Sequence, residues 1–91
     1  MIVSRPALVI SSQPVGPNGL LLWALMITNA ERPQWPGDIM IPNAEQLGLL
    51  IPSKIRTAKI APVETSKASL IGTLDARTLQ QVRRQVRDLI A

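Results

Sequence analysis

The chain has 91 residues, with ten Lys and Arg against six Asp and Glu, a formal net charge of +4 and 46% hydrophobic residues. It contains neither cysteine nor histidine, which excludes disulfides, thiolate metal sites and His-based acid–base chemistry and leaves any catalysis to Arg, Lys, Thr, Ser, Asp or Glu. The length predicts a single domain over residues 1–91, and the positive balance suits a polyanionic partner or an acidic peptide.

In chain order, Ala7 to Ser12 and Leu20 to Ile27 predict two strands that are apolar on both faces, as central strands of a small barrel are. Pro14-Val15-Gly16-Pro17-Asn18-Gly19 lies between them and concentrates turn residues, so the two strands are expected to form a hairpin. Leu20 to Ile27 is far short of a membrane span. The N-terminus places one Arg before a short apolar run broken by Ser and Pro, which is unlike an export signal, so no membrane and a cytoplasmic location are expected.

Asn29 to Pro36, with Pro33, Trp35 and Pro36, reads as an irregular loop. Asp38 to Ile41 predicts a third strand stopped by Pro42-Asn43, Gly48 to Ile51 a short fourth, and Ile55 to Val63 a fifth. Alternation along that fifth strand sets Ser53, Arg56 and Lys59 near one rim. Asp75 is a good N-cap, and Leu79, Val82, Val86, Leu89 and Ile90 recur at helical spacing, which predicts a helix over about 75–90. Arg77, Arg83, Arg84 and Arg87 occupy the rest of its surface and read as a solvated outer face in preference to an RNA-binding one. Trp23, in mid-strand, reads as core, whereas Trp35 is either an exposed stacking aromatic or a barrel plug. Several short strands and one terminal helix make a compact, mainly antiparallel β domain.

A hairpin symmetric about Gly16 and Pro17 sets Arg5 opposite Thr28 at the open end of the sheet. A guanidinium fork beside a hydroxyl suits a phosphate. The competing reading is an edge Arg in solvent and a strand-end Thr, and the spacing by itself favours that one.

The strings Arg5-Pro6-Ala7-Leu8-Val9-Ile10-Ser11, Ala24-Leu25-Met26-Ile27-Thr28, Pro52-Ser53-Lys54-Ile55-Arg56-Thr57-Ala58-Lys59-Ile60 and Ile71-Gly72-Thr73-Leu74 stand in order ahead of the terminal helix. In this order and spacing they resemble the MazF/PemK toxins, the mRNA interferases of toxin–antitoxin systems. The resemblance implies an SH3-like antiparallel barrel of the kind shared with CcdB, a C-terminal helix packed against it, and a homodimer. It also implies an endoribonuclease that needs no metal or other cofactor and cleaves single-stranded RNA: the ribose 2′-hydroxyl attacks the adjacent phosphate and leaves a cyclic phosphate and a free 5′-hydroxyl. Arg5 then matches the family's catalytic Arg and Thr28 its partner Thr, stabilising charge on the phosphoryl oxygens. Ser53, Lys54, Arg56 and the loop residue Trp35 are the implied RNA-binding residues. The implied partners are single-stranded RNA and a cognate antitoxin with an acidic tail.

Two departures accompany the resemblance. Family members begin with an extra strand and loop before the Arg-Pro, whereas only Met1 to Ser4 precede Arg5 here, so the chain is expected to be N-terminally shortened. The edge beside Ala7 to Ser12 is then expected to be covered by dimerisation or by residues upstream of Met1. Lys54 stands where many relatives carry Gln. The alternative is a non-catalytic protein of the same fold, either an inactive shortened homologue or a gyrase-binding CcdB-like one, acting by protein binding.

Overall fold

The structure, a computed structural model, describes residues 2–3 and 6–90. Its strands are β1 (Ile2–Val3), β2 (Ala7–Val9), β3 (Leu21–Asn29), β4 (Asp38–Met40), β5 (Ser53–Glu64) and β6 (Leu70–Gly72), followed by one helix, α1 (Ala76–Ile90). They form one curled antiparallel half-barrel sheet in the order β4-β5-β3-β2-β1-β6. The β2–β3 hairpin has the register that symmetry about Gly16 and Pro17 requires, with Ala7 opposite Met26, Leu8 opposite Leu25 and Val9 opposite Ala24.

The edge of β2 expected to lie open is occupied by the chain itself. Ile2 and Val3 pair with Leu8 and Ala7 on one side and with Gly72 and Leu70 on the other. Two residues are enough for a short antiparallel rung, so neither a second copy nor upstream chain is required to cover β2.

The spine of the sheet is the long β3–β5 pair, and an irregularity at its centre explains the curl. Pairing runs from Asn29 opposite Ser53 to Met26 opposite Arg56, then resumes at Leu25 opposite Ile60. Residues 57–59 have no counterpart on β3, and extra residues of this kind bend a strand and increase its twist. The alternation expected along β5 does not show in its burial, because over the first half of the strand the core covers one face and loop 30–37 covers the other. Ser53, Lys54, Ile55, Arg56 and Thr57 are all buried, while Ala58, Lys59 and Ile60 are exposed, so Lys59 is carried away from the rim it was expected to share with Arg56.

The main core gathers Leu8, Leu25, Ile55, Leu74 and Val82 between the sheet and α1, with Leu79 and Val86 packed against it. A smaller cluster, Ala7, Val9, Leu22 and Ala24, is formed by the alternate residues of β2 and β3 and therefore lies on the opposite face. Trp23 does not join the core. It pairs with Pro62 beyond the bulge, near the exposed Ile60, and is 41% exposed itself. Gly48 to Ile51 is not a strand either. Ala44–Leu47 forms a single 3-10 turn that Gly48 closes in the left-handed region at φ 83°, donating its N–H back to Glu45, and strand pairing is not possible through that reversal.

Asp75 caps α1, with its Oδ2 accepting the Thr78 N–H at 2.9 Å and the Thr78 hydroxyl at 3.0 Å. The bond from the Thr78 N–H, followed by that from the Thr78 hydroxyl, holds the Asp75 carboxyl below its ordinary pKa. A carboxylate whose folded pKa is depressed stabilises the fold above its unfolded value, near pH 4, and that contribution is lost as pH falls through the folded value. Asp75→Asn keeps an acceptor but removes the titration. Thermal melts between pH 5 and pH 2 are therefore expected to fall more steeply for the unmodified chain than for the variant.

Candidate functional site

Thr28 stands near the end of β3, directly opposite Lys54 of β5. It lines a cleft of about 340 Å³ whose other walls include Pro6, Ile27, Leu49, Leu50 and Ile51. The cleft is mainly apolar, and Leu50, at 95% exposure, projects from its rim. Pro6 is fixed beside this end of β3 because its carbonyl accepts the Ile27 N–H at 3.0 Å. Arg5 itself lies outside the described residues.

Beside Thr28 the chain leaves β3 and crosses back as loop 30–37, which is fastened to β4 and β5 by a buried ionic cluster. Lys54 is 1% exposed, and its Nζ donates to the Arg32 carbonyl at 2.6 Å, to Gln34 Oε1 at 3.1 Å and to the Pro33 carbonyl at 3.4 Å. The same ammonium is 3.4 Å from Asp38 Oδ2. Arg56 donates through Nη2 to the Pro33 carbonyl at 2.7 Å, and its Nε is 3.8 Å from Asp38 Oδ2. Its guanidinium carbon lies 3.9 Å from the centroid of the Trp35 ring, a cation–π contact. Asp38 completes the cluster by accepting the Trp35 N–H at 2.9 Å on Oδ2. Two cations against one carboxylate leave a positive excess, and the loop carbonyls solvate it where water does not reach.

Ser53, Lys54 and Arg56, the RNA-binding residues that the resemblance implies on β5, are turned inward in the structure. The Ser53 hydroxyl donates to the Ile51 carbonyl at 2.8 Å, and both cationic heads are held by loop 30–37. The physical reason lies in the sheet. Lys54 and Arg56 face inward from a strand covered by the loop, so their charges find carbonyl partners there. Trp35 is not a barrel plug, since 40% of it remains exposed at the loop surface. Of the expected residues, Thr28, Lys54, Arg56 and Trp35 are brought to one end of the β3–β5 pair.

Asp38 and Gly37 shape this site and were not singled out from the sequence. The available signal was an Asp opening a strand, where Asp is disfavoured unless paired, two residues from Pro36 and facing a Lys-x-Arg strand. Gly37 lets the loop return to β4 at φ 89°, and a Cβ placed there meets Thr57 Oγ1 at 2.5 Å, the hydroxyl that donates to the Gly37 carbonyl. Gly37→Ala is expected to destabilise the fold by about 1–3 kcal/mol, since it forces an L-residue into a sparsely populated conformation and breaks that bond. Urea unfolding measures the loss, and an unchanged midpoint means that the loop is not held as described.

A curled antiparallel sheet with one C-terminal helix thus carries Thr28 at the mouth of a cleft, beside a loop clamped by two buried cations of β5. The chain belongs to the family of PemK-like, MazF-like toxins of type II toxin–antitoxin systems, which it matches over residues 1–90. A solved structure described as the crystal structure of an Mtb toxin superposes with a TM-score of 0.73, covering 97% of this chain and 96% of that one. At 18% identity that likeness establishes the fold alone. Comparison with curated protein sequences gives no match. Membership of a type II toxin family implies an antitoxin partner. No described helix is long and apolar enough to cross a membrane.

Proposed function

We propose that the chain is the ribonuclease of its toxin–antitoxin pair, a metal-independent endoribonuclease that cleaves single-stranded mRNA in the cytoplasm as a homodimer. The observation that carries this reading is the cleft at the end of β3, which Thr28 and Pro6 line together, in a chain that belongs to the MazF-like family over nearly its whole length.

In this reading the scissile phosphate sits at the mouth of the Thr28 cleft. The 2′-oxygen attacks phosphorus and loses its proton as the P–O5′ bond breaks and O5′ gains one, so the products are a cyclic phosphate and a free 5′-hydroxyl. Charge builds on the phosphoryl oxygens in between, and the Arg5 guanidinium, which offers two donors and keeps its charge at all working pH values, stabilises it. Arg5 is an electrostatic group and not the base, because a guanidinium, which holds its proton at neutral pH, is a poor proton acceptor. The Thr28 hydroxyl donates to a phosphoryl oxygen or holds the nucleophile in line. Trp35 supplies a contact to an unstacked base. Ser53, Lys54 and Arg56 serve by holding the loops around the cleft in the arrangement seen. The acidic tail of the antitoxin competes for the same groove, drawn by the net positive charge.

Digestion of a long single-stranded RNA in the presence of a chelator tests the reading. Cleavage that survives the chelator and disappears with Arg5 supports it. A folded chain that binds an antitoxin but cuts no RNA contradicts it and favours a non-catalytic member of the fold.

A further inference from the structure

We infer that loop 30–37 is a preassembled nucleobase platform, in which Trp35 offers its open ring face to an unstacked base of single-stranded RNA while Arg56 and Asp38 act as its positioning residues. The inference rests on the RNA-cleaving reading above and extends it to how the site holds a base.

Trp35 is fixed from several directions before any ligand arrives. Its backbone N–H donates to Asp38 Oδ2 at 2.9 Å and its backbone carbonyl accepts the Asp38 N–H at 3.0 Å, which fixes the main chain, while its ring rests on the Arg56 guanidinium at 3.9 Å. Arg56 is held in turn, being 8% exposed and bonded to the Pro33 carbonyl at 2.7 Å. A guanidinium that close leaves no room for a base on the same side of the indole. Trp35 is 40% exposed as a residue, and whatever part of that belongs to the ring faces away from Arg56, on the opposite face and the edges.

An aromatic plane with one face backed by a fixed cation and the other open to solvent is matched to a flat ligand. Every base presents a π-face, so such a plane takes bases of any identity, and the large area of a purine suits it best. Because the ring is already ordered, binding does not have to immobilise it, and that raises affinity. Lys54 links the platform to the reactive end. It pairs with Thr28 across β3–β5 and holds the Arg32 carbonyl and Gln34 of the loop, so the stacking plane and Thr28 are carried by one rigid stretch of sheet.

The test uses Trp23→Phe as background, which leaves Trp35 the sole tryptophan, and two labelled probes. One is a hexamer of deoxyadenylate, which lacks the 2′-hydroxyl and stays intact. The other is an abasic sugar-phosphate hexamer with the same charges. Trp35 fluorescence is expected to be quenched by the first probe alone, and anisotropy is expected to show tighter binding of the first. Trp35→Ala should shrink the preference for the base-bearing probe by about 5- to 100-fold, the range of one stacked base. Trp35→Phe, which restores a plane, should recover most of it. Arg56→Lys and Asp38→Asn, checked for folding by circular dichroism, should shrink the preference by about 2- to 10-fold because the ring loses its planar backing or the charge that seats it. A purely structural role would leave the ratio between the two probes unchanged.

Equal affinity for both probes with unquenched Trp35 overturns the platform. If the same sample still shows Arg5-dependent RNA cleavage, the platform alone fails. If it neither binds nor cleaves, the ribonuclease reading fails with it.

Discussion

Asp38→Ala is expected to destabilise the protein by about 3–5 kcal/mol, the usual result of removing one partner from a buried ion pair and leaving the other uncompensated. The carboxylate is fully buried, with Lys54 at 3.4 Å and Arg56 at 3.8 Å from the same oxygen. Removing it leaves two buried cations with only backbone and amide oxygens to meet them. The loop also loses the acceptor of the Trp35 N–H. Loss of part of the native stability on this scale is large for a small domain. Urea denaturation at neutral pH gives the number. Lys54→Met in the same background is a useful second variant, since it removes one excess cation and is expected to recover part of the loss. A change below about 1 kcal/mol in Asp38→Ala means that the cluster is not the fastening described.

The second large effect is catalytic. Arg5→Lys keeps the charge but loses the planar fork that grips two phosphoryl oxygens, so RNA binding is expected to persist while cleavage falls by roughly 100- to 1000-fold, the loss seen when a transition-state donor is removed. Thr28→Val removes one hydroxyl at similar shape and is expected to reduce the rate on the order of 10- to 1000-fold. Single-turnover cleavage of a fluorescent single-stranded RNA measures both. Because Thr28 is the described half of the pair and lies in the cleft, its variant tests the location directly.

The hairpin was legible because a symmetric turn between two apolar runs admits few registers, and the pairing of Ala7 with Met26 follows from Gly16-Pro17 by counting. The apolar stripe of Leu79, Val82 and Val86 was legible because it meets a sheet. Leu89 and Ile90 share the pattern but remain exposed, at 47% and 79%, since the pattern does not reveal where the sheet ends. The bulge in β5 was hidden because nothing in Thr57-Ala58-Lys59 distinguishes an unpaired stretch from a paired one, and Lys59 was placed on the wrong rim as a result.

The least legible feature is the one that shapes the site most. Lys54 and Arg56 look like surface cations in a linear reading, and only the return of the loop over them makes them buried fasteners. Their partners, the carbonyls of Arg32 and Pro33, carry no side-chain signature at all. Trp23 and Trp35 illustrate the same limit from the other side, because mid-strand position suggested burial for Trp23 while the end of the core beyond the bulge leaves it 41% exposed.

A timed digest of a long single-stranded RNA in a chelator, followed by end-group analysis, tests whether Arg5 and Thr28 carry cleavage without a metal. The expected fragments end in a cyclic phosphate and begin with a free 5′-hydroxyl, produced by the unmodified chain, slowly by Thr28→Val and barely by Arg5→Lys. Equal cleavage by all three, fragments bearing 5′-phosphates, or intact RNA with a demonstrably folded chain would contradict it.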